Sequence, residues 1–262
     1  MAEADITLSN TREEDDIGAC GIALLAHDDD VLAVSKPAGL VVHPAYRHPD
    51  GTLTDAVFAY ADRCGEPRPW LLHRLDRETS GVVLFARTER ARRALVRQFQ
   101  ERRIVKRYLA IITGRLAIAH GEIDAPLCRD PEDRRRVVVA PAGKPARTRY
   151  WTLAAHEAFS LVLAEPLTGR THQIRAHLAS QGSPLAGDAI YGGVTEATNA
   201  AGIDRTQLHA WELAFHHPGA HTLRAVRAPL PDDMHAAIGA LGLRGGMTAL
   251  TAFSQAFRAE SC

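Results

Sequence analysis

The chain has 262 residues, 46% of them hydrophobic and 24% charged, a globular profile with length for one large domain or two small ones. No apolar run approaches the roughly 20 residues that span a bilayer, and acidic, polar Met1–Asp16 has neither the basic start nor the apolar stretch of a secretory signal. Basic and acidic residues balance at 31 each, which would argue against a nucleic-acid partner if the charges were evenly spread.

They are not. Nine of the acids and one of the bases lie in residues 1–35, which leaves 30 bases against 22 acids, a net of +8, over the rest. Affinity for phosphate follows a local basic surface, not the total. Residues 1–17 lack any apolar period and read as a flexible acidic tail. Ile22–Ala26 and Val31–Ser35 are apolar runs around His27-Asp28-Asp29-Asp30, a hairpin pattern. Lys36-Pro37-Ala38-Gly39 breaks that pattern. Thr52–Arg63 reads as a helix with Thr52 as N-cap and Asp55 completing a weak capping box. A strand follows at Val82–Ala86. Thr88–Arg102 has helical period, with Ala91, Leu95 and Phe99 on one stripe and Arg90, Arg93 and Arg97 on another.

Ile104–Thr113, Arg136–Ala140, Arg147–Ala155 and Ser160–Ala164 read as strands, and Gln173–Gln181 as a helix. Strands near Leu208–Phe215 and Thr222–Ala225 and a helix around Asp232–Leu241 close the pattern, with residues 243–262 as a C-terminal tail. Strands and helices do not alternate regularly. The expected fold is therefore α+β, one domain over residues 18–242 with a mixed, mostly antiparallel central sheet flanked by helices.

Three segments crowd polar residues beside apolar strands. In His73-Arg74-Leu75-Asp76-Arg77-Glu78-Thr79-Ser80-Gly81, Asp76 lies between two arginines and close to a glycine that permits close approach of another segment. The same pattern suits a structural ion-pair loop. Tyr108, in the strand from Ile104, suits a core aromatic as well as a functional one. Leu167–Leu178 passes from loop into helix, so that Arg170 and the helix N-terminus can hold a phosphate and Arg175 can turn back towards a carboxylate.

Other chemistries find less support. Cys20, Cys64, Cys128 and Cys262 have no metal-ligand spacing and read as reduced thiols of a cytoplasmic protein. His172 and His177 are five apart, which does not place two ligands on one helix face. Neither a Gly-rich phosphate loop nor Gly-x-Ser-x-Gly occurs.

The motifs DDVLAVSKPAGLVVHP (29–44), HRLDRETSG (73–81), RRIVKRYLAI (102–111), LTGRTHQIRAHL (167–178), GDAIYGG (187–193) and LHAWELAFHHP (208–218) occur in this order. On them the chain resembles the RluA branch of the pseudouridine synthases from Gly21 to about Asp233. The resemblance implies an RNA uridine isomerase without cofactor or metal. It puts the family's essential aspartate on Asp76, its active-site tyrosine on Tyr108 and its basic residue on Arg175. Arg74 matches an arginine that enters the RNA stem where the flipped nucleotide had been. Arg77, Arg90, Arg93, Arg97 and Arg170 are further expected RNA contacts. The partner implied is ribosomal or transfer RNA, met by a monomer without a separate N-terminal RNA-binding domain.

Overall fold

The computed structural model describes Ile17, residues 22–44 and residues 49–260, the last six as backbone alone; apart from Ile17 the predicted acidic tail lies outside the described residues. The elements begin with β1 (Ala23–His27), β2 (Val31–Lys36), α1 (Leu53–Cys64), β3 (Trp70–Leu71), β4 (Ser80–Ala86) and α2 (Glu89–Gln100). There follow β5 (Val105–Thr113), β6 (His120–Asp124), β7 (Leu127–Arg129), β8 (Val137–Val139), β9 (Arg147–His156) and β10 (Phe159–Pro166). The rest are α3 (Gln173–Ser180), α4 (Glu196–Ala200), β11 (Leu208–His216), β12 (Leu223–Arg227), α5 (Asp232–Ala240) and α6 (Gly245–Glu260). The chain divides into two compact units. One is Met1–Lys106 with Ala210–Pro229, the other Arg107–His209 with Leu230–Cys262.

In the first unit the predicted hairpin forms because Asp28 closes its turn, accepting the Asp30 and Val31 N–H groups at 2.9 and 3.0 Å. β2 then pairs antiparallel with β4, Val31 opposite Ala86 through to Lys36 opposite Gly81. Both strands are buried almost throughout, and Val31, Ala33, Val82 and Leu84 pack with Ala91 and Leu95 of α2 and with Phe215. Thr52 caps α1 with Asp55 in a full capping box. β4 is also hydrogen-bonded beside β11. There Gly81 is obligatory: its φ is +116°, and a Cβ would fall 2.2 Å from the Ala210 carbonyl oxygen. Gln98 of α2 donates to the His216 carbonyl at 2.8 Å and accepts the His216 N–H at 2.9 Å, so one side chain stands in for a strand partner.

The second unit is built on the run β5-β10-β9-β6, each neighbour antiparallel. β10 is buried over its whole length and supplies Val162 and Ala164 to a core with Ala110, Ile112, Tyr150 and Leu185, against which α3 lays Ile174 and Leu178. β7 and β8 form a separate hairpin. Residues 243–262, expected as a tail, instead supply α6, whose Phe253 ring stands edge-on to Trp151 at 5.1 Å. The pairs β1–β2, β2–β4, β5–β10, β9–β10, β6–β9, β7–β8 and β11–β12 are antiparallel and helices flank the strands, so the fold is α+β with a mostly antiparallel sheet. No helix among the described residues is long and apolar enough to cross a membrane.

Candidate active site

Asp76 lies in the loop between β3 and β4, half-buried, with Arg74 and Arg77 exposed on either side. The loop is short and fixed from several directions. The Asp76 carbonyl accepts the Thr79 N–H at 3.1 Å, closing a turn. Gly39 donates its N–H to the Arg77 carbonyl at 2.9 Å, and Arg77 Nε donates back to the Gly39 carbonyl at 3.0 Å. Lys36 is wholly buried, and its Nζ donates to the carbonyls of Pro37, Leu40 and Arg77 at 2.8, 2.8 and 2.9 Å. An ammonium has three donors; here two go to the Lys-Pro-Ala-Gly turn and its sequel and the third to the aspartate loop, so that one nitrogen joins the two segments. The break after β2 is thus the second wall of that loop. We expect Lys36→Met to lose about 2–3 kcal/mol of stability by leaving buried carbonyls unpaired. Thermal melting checks this, and an unchanged melting temperature would show that the clamp is dispensable.

His73 enters the loop from the other side. Loss of water and the neighbouring Lys106 push its imidazole down to about 3, so the ring stays neutral. Its Nε2 accepts the Leu84 N–H at 3.1 Å, which puts the ring proton on Nδ1 and pins the loop to β4, while the ring packs on Phe99 at 5.3 Å.

The other two residues singled out belong to the second unit. Tyr108 is half-buried on β5 opposite Ala164 and packs against that unit's core. Arg175, in the first turn of α3, is 7% exposed and forms a two-pronged pair with fully buried Asp188. Its Nε donates to Oδ2 at 2.7 Å and its Nη2 to Oδ1 at 3.0 Å. Asp188 Oδ1 also accepts the Ile190 and Tyr191 N–H groups at 3.0 and 3.2 Å, and the Arg175 guanidinium lies 5.1 Å from the centre of the Tyr191 ring. The carboxylate that holds Arg175 within this unit is therefore Asp188, to which sequence reasoning had given no role. The only signal was its place in the Gly-Asp-Ala-Ile-Tyr-Gly-Gly motif.

Arg170, half-buried, precedes α3 and donates from Nε to the Pro145 carbonyl at 3.1 Å; its N–H goes to Gln173 Oε1 at 3.0 Å. It lines a cleft of about 580 Å³ with Arg129, Arg134 and Lys144. The stripe on α2 has a different character. Arg90 pairs with Asp30 at 2.8 Å, Arg93 with Glu89 at 2.9 Å and Arg97 with Glu101 at 2.7 Å. Arg92 and Arg93 together hold the Glu89 carboxyl down at about 2.

The structure therefore gathers Arg74, Asp76 and Arg77 on one loop and Arg170 and Arg175 around the start of one helix. A carboxylate on a rigid loop flanked by exposed cations can serve as nucleophile or base towards a polyanion. A buried guanidinium locked by a fork keeps its charge and its direction.

A family model for RNA pseudouridylate synthase matches residues 30–180. The ribosomal large subunit pseudouridine synthase D of Nitrosomonas europaea is 41% identical over 228 residues, covering 85% of this chain and 66% of that one. An uncharacterized RNA pseudouridine synthase of Chloroflexus aurantiacus is 47% identical over 203 residues, covering 76% and 63%. The chain thus spans roughly two thirds of the length of these relatives. Among solved structures, human RNA pseudouridylate synthase domain containing 1 superposes with a TM-score of 0.67 at 26% identity, covering 84% of this chain and 86% of that one.

Proposed function

Because the chain belongs to the RNA pseudouridylate synthase family, in its RluA-type branch, we propose that it isomerises uridine to pseudouridine in structured ribosomal or transfer RNA. In this reaction the bond from uracil N1 to ribose C1′ breaks, the base turns, and a bond from C5 to C1′ forms, with a proton lost from C5 and one gained at N1. Atoms and electrons balance within the nucleotide, so no oxidant or group donor is consumed.

The observation that carries this reading is the clamped loop around Asp76, which lies inside the stretch matched by the family model and resembles the family's aspartate motif. Asp76 acts ionised, as nucleophile at C1′ or as base at C2′. Arg175, carried over from the same family pattern, supplies the cation that favours that ionised form. Tyr108 stacks on the uracil, and its hydroxyl assists removal of the C5 proton. The target base leaves its stack before reaction, at a cost of a few kcal/mol. Exposed Arg74 offsets part of this by occupying the vacated space. The same reading makes the protein a cytoplasmic monomer that needs no bound metal or cofactor.

Loss of the C5 proton provides the test. RNA transcribed with uridine tritiated at C5 should release label to water when incubated with the purified protein, one tritium for each pseudouridine formed. Pseudouridine absent and label fully retained, with transcripts of both RNA classes, would refute the assignment.

A further inference from the structure

The cleft of about 580 Å³ in the second unit is not explained by the chemistry at Asp76, and its walls are built with care. One wall is the β7–β8 hairpin with the segment after it. Leu127 and Lys144 exchange two backbone hydrogen bonds, at 2.9 and 2.8 Å, which fixes Lys144 close to Arg129. Gly143 makes this approach possible, since a Cβ there would lie 2.6 Å from the Leu127 backbone. The other wall is Gly169–His172, leading into α3. The Tyr191 hydroxyl joins the two. It accepts the Val137 N–H at 2.9 Å and lies 3.2 Å from both the Val137 carbonyl and His172 Nδ1.

The charge on these walls is unbalanced. Arg135 and Arg136 pair with Asp133 and Asp130, both at 2.7 Å. Among the described residues, exposed Arg129, Arg134 and Lys144 have no carboxylate partner, and no acidic side chain lines the cleft. α3 also begins without an acidic residue in its first turn and without a side-chain cap, so its positive end is unscreened. The α2 stripe, with a carboxylate on each of its three arginines, presents far less net charge.

We propose that this cleft is the track that holds the RNA phosphate backbone, with Arg129, Arg134 and Lys144 as the phosphate-binding side chains. The proposal rests on the reading of the protein as RNA-directed. It shifts the docking surface from the helix α2 face to the β7–β8 hairpin. Cations already neutralised by a neighbour release few counterions on binding, whereas unpaired ones each replace about one condensed ion on the nucleic acid.

The test is a salt titration of binding to a fluorescein-labelled RNA stem-loop. The proteins are wild type, the Arg129→Gln/Arg134→Gln/Lys144→Gln variant and the Arg90→Gln/Arg93→Gln/Arg97→Gln variant, with matched melting temperatures confirming the fold. The slope of log affinity against log salt should fall by about two to three units in the first variant and by less than about one in the second. A wild-type slope in the cleft variant, or a wild type that does not bind the probe, overturns the proposal. Tritium release by the same wild-type sample keeps the two readings apart. Release with an unchanged slope sinks the cleft alone. A lowered slope without release in either RNA class sinks the catalytic reading and leaves the cleft in place.

Discussion

Asp76→Asn should lower the rate of pseudouridine formation by at least about 10⁴-fold, the scale seen when the central group of a catalytic set is removed. Folding and RNA affinity should stay near wild type. The substitution keeps the shape of the side chain and removes only its charge. The loop's path is held by Lys36, by the Gly39–Arg77 exchange and by the Asp76 carbonyl, all of which the substitution leaves in place. Single-turnover assays at saturating RNA, with melting curves on the same samples, separate chemistry from folding. Turnover within tenfold of wild type would remove Asp76 from the centre of the mechanism.

Asp188→Ala is expected to be the most damaging change for stability, by about 3–5 kcal/mol, which lowers the melting temperature by roughly 10 °C. The wild-type pair is buried on both sides, with Arg175 7% exposed and Asp188 0%. Without the carboxylate, a guanidinium stays charged in a site with little water, and the N–H groups of Ile190 and Tyr191 lose their acceptor. Arg175→Lys should fall between wild type and Arg175→Ala in stability and in turnover, because it restores charge without the fork. Melting curves on the three variants check the order. Asp188→Ala melting with wild type would show that the pair carries no net stability.

The elements set by local chemistry were legible from the residues. Thr52 and Asp55 announced α1, Thr88 started α2, and the aspartates at 28–30 closed the β1–β2 turn. Elements without an apolar period were missed. β6 reads His-Gly-Glu-Ile-Asp and buries only Ile123, because it is an edge strand with one side in water. α6 begins at Gly245-Gly246, a pair that looks like a chain break, although the helix covers β9 with Phe253.

At the candidate site the motifs located the loop and the helix start but not the partners. Asp188 lies 13 residues from Arg175, beyond any helical spacing, and only the fold brings the two side chains together. The same holds for Asp30, 60 residues from the arginine that it pairs with on α2. Periodicity shows which side chains share a face. It does not show whether a distant carboxylate has already neutralised that face.

All these expectations depend on one claim, that the chain converts uridine to pseudouridine in RNA. It is tested most directly by incubating the purified protein with ribosomal and transfer RNA from cells lacking its gene. Digestion to nucleosides and chromatography with mass spectrometry then compare pseudouridine before and after. The expected result is a gain of pseudouridine at a discrete position, equal to the loss of uridine, without added cofactor. No gain in either RNA class, from protein that is folded and binds RNA, would contradict the assignment.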